Sequence, residues 1–184
     1  MLRLAGGSVP VVAVDGIVSV SRAWLEGETM ELLLPMPVRV VNRPNGAVSL
    51  HTGPLTLAYS PGEIWRDIPD TPGLGDWEVL LRGSWNFGLE LEAGATELPL
   101  VVERQPPSGR PFALAPSPVR VPMRGRFVPS WTLRNNSAAP PPPSPVSTNQ
   151  TPRPITLVPY GCARLRVCEF PRIEPQEFTG EVFD

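Results

Sequence analysis

The sequence has no lysine, and among its 184 residues it contains one histidine, His51, and two cysteines, Cys162 and Cys168. Enzymes that act on neutral substrates usually bring together a tuned acid, base, nucleophile or metal ion. The side chains that could build such a centre are scarce here. Composition therefore argues against a self-contained catalytic site.

The sequence also lacks a basic stripe and a long apolar run. Its net charge is −2, and its 16 arginines are scattered along the chain. A membrane-spanning helix needs about 18 consecutive apolar residues, and no segment approaches that length. Nucleic acid and membrane are therefore not expected as partners. Residues 1–7 contain no apolar core of signal-peptide length, which predicts a cytoplasmic chain or a piece of a longer one with its targeting signal elsewhere.

What the sequence has in abundance is turn-forming residues, with 26 prolines and 16 glycines. They separate short apolar runs, several of which alternate between apolar and polar residues, as in residues 17–24 and 85–91. Apolar spacing of three and four, which would indicate a long helix, is missing. The sequence predicts an all-β fold, an antiparallel β-sandwich with long Pro/Gly-rich loops and little or no helix.

Changes in composition divide the chain into three predicted parts. Residues 1–105 are expected to form a β-sandwich portion, and residues 106–154 a proline-rich insertion with short strands. Residues 155–184 are expected to form a closing β-hairpin, in which 155–159 pairs with 163–170, and a tail that frays from Pro171.

The five tryptophans are the side chains best suited to binding a sugar, because a sugar ring can lie flat on an indole face. The alternative is that an indole buries its large area in the core. Trp24 and Trp85 lie in alternating segments and are predicted to be core residues. Trp65 lies in the loop 61–76, which is rich in Pro, Gly and Asp, and Trp77 follows that loop. These two tryptophans are the candidate carbohydrate-binding residues, expected at a surface or an interface.

The two cysteines are predicted to be buried structural thiols. If both lie on one strand, six residues separate them by about 20 Å at ~3.3 Å per residue. A disulfide needs Cα atoms within roughly 7 Å, and a zinc ion needs sulfur ligands about 2.3 Å away. Neither geometry fits unless a bend at Gly161 redirects Cys162. No metal site and no cofactor are therefore expected.

The remaining reactive side chains have simple structural explanations. His51, close to Thr52 and Thr56, is interpreted as a histidine at a strand end. The carboxylate pairs Asp76–Glu78 and Glu90–Glu92 each lie on one face of a strand, and they have the residue types that glycoside hydrolysis uses. Such pairs are common on solvated strand faces, so no catalytic residue is predicted.

Several blocks of sequence resemble the β-L-arabinofuranosidase-like glycoside hydrolases of family 127. The segments 22–28 and 34–39 are similar to the family's "R-x-W-x-x-G-D … L-P-M-x-V" stretch, with Glu28 in place of the usual aspartate. Gly53-Pro54-Leu55 resembles its "R-G-P-L" strand start, with Thr52 in place of arginine. Four further segments resemble the later blocks of the family's longer bacterial members; they are residues 76–79, 85–89, 155–162 and 165–167.

The resemblance implies a β-sandwich region that follows a catalytic (α/α)6 barrel. The family's catalytic residues, a cysteine nucleophile beside a zinc ion held by cysteines and a glutamate, belong to the barrel, and no position here matches their motif. The resemblance thus implies a non-catalytic accessory module that packs on and supports the barrel in carbohydrate degradation. Two alternatives stay open: a stand-alone carbohydrate-binding module that uses Trp65 or Trp77, and an enzyme that uses Cys162 or the Asp76–Glu78 pair.

If the chain begins at Met1, the resemblance implies that it starts partway into the sandwich. An incomplete sandwich exposes an unpaired strand edge and apolar area that normally faces a neighbour. Burying an interdomain face of about 1,000 Å² contributes roughly ten kcal/mol or more before ordering costs, as large as the whole stability of a domain. The expected partners are the (α/α)6 barrel, as domain or subunit, or a second copy bound through the exposed face, with arabinose-containing glycans as the ligand class.

Overall fold

A computed structural model describes residues 2–4, 7–10, 12–69, 75–106 and 109–173. The described residues form strands, turns and two single-turn 3-10 helices at Pro44–Gly46 and Tyr160–Cys162, with no α-helix among them. The all-β prediction is confirmed. Within the same residues no helix has the length and apolar character needed to cross a membrane.

The chain divides into two compact units, Met1–Met36 and Pro37–Asp184. In the first unit, the residues that the structure describes form five short strands: β1 (Leu2–Leu4), β2 (Gly7–Val9), β3 (Ala13–Val14), β4 (Ile17–Val18) and β5 (Met30–Leu32). Strands β2, β1 and β5 form an antiparallel sheet in that order, and β3 pairs with β4. The turn between β3 and β4 is Asp15-Gly16, where both residues have positive φ, as a tight hairpin turn requires.

The described residues of the second unit form thirteen strands. They are β6 (Val38–Asn42), β7 (Val48–Thr52), β8 (Leu55–Tyr59), β9 (Glu63–Asp67), β10 (Trp77–Leu81), β11 (Phe87–Glu90), β12 (Glu97–Leu98), β13 (Glu103–Arg104), β14 (Val119–Phe127), β15 (Leu133–Arg134), β16 (Ser137–Ala138), β17 (Arg153–Pro159) and β18 (Arg172–Ile173). Its main sheet has the order β12-β6-β7-β8-β17-β14-β11-β18, with β13 paired to β14. The pairs β9–β10 and β15–β16 are separate hairpins.

The main sheet curls because the segment 167–173 joins strands that are far apart in its order. Val48 of β7 exchanges two backbone hydrogen bonds of 2.8 Å with Phe170, and Tyr59 of β8 pairs in the same way with Val167. The segment then continues as β18, which pairs in parallel with β11. The core lies inside this curl, where the Tyr59 and Phe87 rings meet edge to face at 5.3 Å.

Side-chain alternation explains which strand faces enclose the core. On β14, Val119 and Val121 are buried while Pro122 and Arg124 are exposed, the period of two that a half-buried strand requires. The central strand β17 contributes the buried Leu157, which lies opposite Val121 in the register. The long strand β14 lies inside the range 106–154. The division of the chain into three parts stays a prediction.

The structure corrects the pairing that was predicted for the end of the chain. Strand β17 is hydrogen-bonded on both sides, to β14 and to β8, so no edge is left to pair with residues 163–170. That segment pairs with β8 and β7 instead of forming a hairpin, and the chain then reaches β11 through β18. Pro171 and Ile173 are buried, so the chain does not fray from Pro171, and residues 174–184 of the predicted tail lie outside the described residues.

Candidate functional site

The candidate carbohydrate-binding residues Trp65 and Trp77 lie together on the β9–β10 hairpin. In the register Trp65 faces Val79 and Trp77 faces Asp67, which places both indoles on one face of the ribbon. Their ring centroids are 6.1 Å apart with an interplanar angle of 66°, and the residues are 41% and 54% exposed. The predicted surface position of both is confirmed, and sugar binding stays a prediction. The prediction of a loop over 61–76 is wrong for Glu63–Asp67, which form β9, because these residues pair with β10; residues 70–74 lie outside the described residues.

Glu63 connects this hairpin to the loop 160–168. One of its carboxylate oxygens accepts hydrogen bonds from the backbone N–H groups of Arg164, at 3.0 Å, and Leu165, at 3.2 Å. The other accepts a hydrogen bond of 3.1 Å from the Trp65 indole. The Arg164 guanidinium lies 4.9 Å from the centroid of the Trp65 ring, a cation–π arrangement. Trp65 and Arg164 are thereby held together at the surface.

Next to the hairpin lies a groove of about 940 Å³, which is within the usual size range of ligand sites. It is walled by β10, by the β15–β16 hairpin and by the loop 160–168. Its polar groups include the side chains of Arg164, Arg166, Asn136 and Ser137. The Arg166 guanidinium stacks on the ring of Tyr160, 3.7 Å from the centroid.

Sequence reasoning missed both arginines of this groove. A signal was present, because Arg164 and Arg166 alternate with Leu165 and precede Val167. Two residues apart on an extended backbone, both guanidinium groups point to the same side. Which surface they would face depended on the path of the loop 160–168, and that path was predicted incorrectly.

The remaining tryptophans divide between core and surface. Trp85 and Trp131 are buried and pack edge to face at 4.8 Å, and the Trp131 indole donates a hydrogen bond to the Ala139 carbonyl. The prediction of a core position is confirmed for Trp85 and wrong for Trp24. Trp24 is exposed, with the Arg22 guanidinium 5.5 Å from its ring, because β4 ends at Val18 and the regular alternation does not continue to residue 24.

His51 belongs to a network of hydrogen bonds on β7 and β8. Its Nε2 is 3.0 Å from the Ser49 hydroxyl, and its Nδ1 is 3.4 Å from the Thr56 hydroxyl. The pKa of His51 is lowered by burial and by the nearby charges of Arg43 and Arg39, so the ring is neutral at neutral pH. Ser49 is fully buried and also accepts a hydrogen bond from Arg43. A substrate cannot reach its hydroxyl, so this Ser–His contact is structural.

Both cysteines are free thiols. Cys162 is buried, and its thiol is 3.5 Å from the Pro111 carbonyl. Cys168 is half-buried, and burial raises the pKa of its thiol, which disfavours the thiolate that nucleophilic chemistry needs. The prediction of a buried structural thiol is confirmed for Cys162. Among the described residues, no three His, Cys, Asp or Glu side chains gather into a possible metal site.

The predicted carboxylate pairs do not form acid–base couples. Glu78 is ion-paired with Arg66 across the β9–β10 hairpin, at 3.4 Å. Glu90 is ion-paired with Arg126 of the neighbouring strand β14. Each pair therefore includes a carboxylate that is neutralised by a cross-strand arginine, as on an ordinary solvated strand face.

No protein-family model, curated protein or solved structure matches this chain.

Proposed function

We propose that the chain is a non-catalytic accessory β-module of a β-L-arabinofuranosidase-like glycoside hydrolase of family 127. Its role is to pack on and support a catalytic (α/α)6 barrel in carbohydrate degradation. The proposal rests on the sequence blocks that resemble this family and on the all-β fold. The observation that carries it is the set of apolar side chains exposed on the first unit.

These side chains are unusual in number for so small a unit. They are Val12, Val14, Ile17, Val18, Trp24, Leu25, Met30, Leu32 and Leu34. Single exposed apolar residues are normal, but a concentration of them within 36 residues is typical of a surface that another protein covers. Strands β2 and β5 also end the small sheet, and such edges offer further pairing. The first unit is therefore the proposed contact with the barrel.

The chemistry of the described residues supports a role without turnover. Glycoside hydrolysis requires an acid together with a nucleophile or a base at the cleaved bond. Cys162 is buried, and one carboxylate of each candidate pair, Glu78 or Glu90, is ion-paired with an arginine. The proposed contribution of the module is thus binding energy and support for the barrel.

Replacing Leu25 by serine tests the proposed contact. Leu25 is 72% exposed, and burying a leucine side chain is worth about 1.5–3 kcal/mol, so Leu25→Ser should weaken binding to a family 127 barrel about 10- to 100-fold. Val101→Ser is the matched control, because Val101 is 73% exposed but lies in the second unit. Size-exclusion chromatography with light scattering should show a one-to-one complex for wild type and Val101→Ser.

Failure of the wild-type chain to bind the barrel contradicts the proposal. A stable dimer of the chain that Leu25→Ser dissociates would instead assign the first unit to self-association. Binding by Leu25→Ser that is as tight as that of the wild type and of Val101→Ser would show that the contact does not involve Leu25 of the first unit.

A second candidate function, a stand-alone carbohydrate-binding module, is favoured by the paired indoles of Trp65 and Trp77. Two exposed rings on one face of a rigid hairpin provide an apolar platform next to polar groups, as sugar recognition requires.

Trp77→Ala separates this candidate from the first. If the indoles bind sugar, titration with arabinose-containing oligosaccharides should quench the tryptophan fluorescence of the wild type, and Trp77→Ala should reduce affinity about tenfold or more. Trp24→Ala is the matched control, since Trp24 is 49% exposed but lies in the first unit. Unchanged affinity in Trp77→Ala would remove the platform as the binding surface.

A further inference from the structure

The groove beside the β9–β10 hairpin contains two arginines without acidic partners. Elsewhere in the described residues, six arginines form ion pairs with glutamates, among them Arg66, Arg120 and Arg126. Arg164 and Arg166 differ from these six, because neither is ion-paired with a carboxylate of any described residue. Both are exposed and both line the groove. Positive charge at this surface is therefore available to a ligand.

Aromatic rings hold both guanidinium groups in place. Arg166 stacks on Tyr160 at 3.7 Å and donates a hydrogen bond to the Ala163 carbonyl, while Arg164 stacks on Trp65 at 4.9 Å. A guanidinium is planar and presents several N–H donors in a fixed fork that matches a carboxylate. Because these side chains are already ordered, a ligand that binds them loses less entropy than one that binds mobile arginines.

The opposite wall of the groove offers groups that suit hydroxyls. Asn136 and Ser137 lie at the tip of the β15–β16 hairpin, where Asn135 and Asn136 have the positive φ of a tight turn. An amide and a hydroxyl can each both donate and accept a hydrogen bond, as a polyhydroxylated ligand requires. Glu78 also lines the groove, and its pairing with Arg66 limits its repulsion of an anion.

The groove, at about 940 Å³, has room for a ligand larger than one sugar unit. A second depression of about 450 Å³ adjoins it, and both are lined by Ala138, Arg166, Val167 and Cys168. Arg166 therefore lines both spaces. This arrangement suits an extended chain with a carboxylate near its middle better than a single monosaccharide.

We infer that this groove binds an acidic glycan, with a uronate carboxylate on Arg166 and Arg164 and neighbouring sugar hydroxyls on Asn136 and Ser137. This inference rests on the role in carbohydrate degradation proposed above and names a ligand class for it. It does not depend on the contact between the first unit and the barrel. The module would thus hold acidic side groups of a polysaccharide while the barrel acts on the chain.

The test is a calorimetric titration of the full chain with trigalacturonic acid. Its fully methyl-esterified form is the neutral control of equal length. The wild type should bind the acid at least tenfold more tightly than the ester, and Arg166→Gln should weaken binding of the acid about 10- to 100-fold. Arg153→Gln, the matched control, removes an exposed arginine that lies outside the groove and should bind like the wild type.

Three outcomes would overturn the inference. The first is equal affinity for the acid and its ester, and the second is equal weakening in Arg166→Gln and Arg153→Gln, which would indicate nonspecific attraction to charge. The third is binding of triglutamate as tight as that of trigalacturonate, which would assign the groove to an acidic peptide. Both variants should have melting temperatures close to that of the wild type, which shows that a change in affinity is not caused by unfolding. If the wild-type chain binds the barrel but does not bind trigalacturonic acid, the inference about the acidic glycan is wrong and the proposed accessory role still stands.

Discussion

Phe170→Ala should lower the free energy of unfolding of the second unit by about 3–5 kcal/mol. Phe170 is fully buried in the core, and its backbone exchanges two hydrogen bonds with Val48. Truncation removes the apolar area of the ring and leaves a cavity at the point where the segment 167–173 joins the strands. A domain of this kind has a total stability of about 5–15 kcal/mol, so the loss is a large fraction of it.

Urea denaturation measures this effect, and the fluorescence of the buried Trp85–Trp131 pair reports on the second unit. Phe112→Ala is the matched control, because the Phe112 ring is exposed and its removal should change stability by at most about 0.5 kcal/mol. Phe170→Leu, a milder change, keeps the comparison interpretable if the alanine variant does not fold. Equal midpoints for Phe170→Ala and Phe112→Ala would show that the segment 167–173 does not close the sheet.

Asn86→Ala should destabilise the second unit by about 1–3 kcal/mol through hydrogen bonding rather than packing. The buried Asn86 amide donates hydrogen bonds of 2.9 Å to the carbonyls of Val128 and Trp131. These hydrogen bonds hold the turn at residues 128–131, which follows β14 and positions the Trp131 ring. Without the amide, the Trp131 carbonyl loses its donor while it stays away from water, which costs more than the bond itself contributes.

The measurement for Asn86→Ala is again the urea midpoint, compared with Asn149→Ala. Asn149 is exposed, and its side-chain oxygen accepts a hydrogen bond of 3.3 Å from the neighbouring Gln150, so its removal should be nearly neutral. An Asn86→Ala midpoint that equals that of Asn149→Ala would mean that water or another donor replaces the amide, and that the turn does not rely on it.

The fold class could be predicted from the sequence because alternation and turn residues act locally. Residues 55–59, 87–90 and 155–159 are strands in the structure, as their short apolar runs between Pro and Gly indicate. The buried position of Trp85 followed from the same pattern, whereas the exposed positions of Trp65 and Trp77 were predicted from a loop at 61–76 that in the structure contains strand β9.

Strand pairing could not be predicted in the same way, because it depends on contacts that are distant in the sequence. The segment 163–170 has the alternation of a hairpin partner for β17, yet β17 already has two neighbours. The groove arginines were missed for this reason, since only the true path of that segment brings Arg166 beside Tyr160 and the β15–β16 hairpin. Trp24 was placed in the core because its alternation looked regular, although β4 ends at Val18.

The proposed role requires that a helical barrel covers the exposed apolar side chains of the first unit. The measurement is a calorimetric titration of the wild-type chain into a family 127 barrel at several temperatures. We expect one-to-one binding with a negative heat-capacity change, because apolar surface leaves water, and a smaller change for Leu25→Ser than for Val101→Ser. Absence of binding heat at every temperature, or a heat-capacity change that is identical in the two variants, would contradict it.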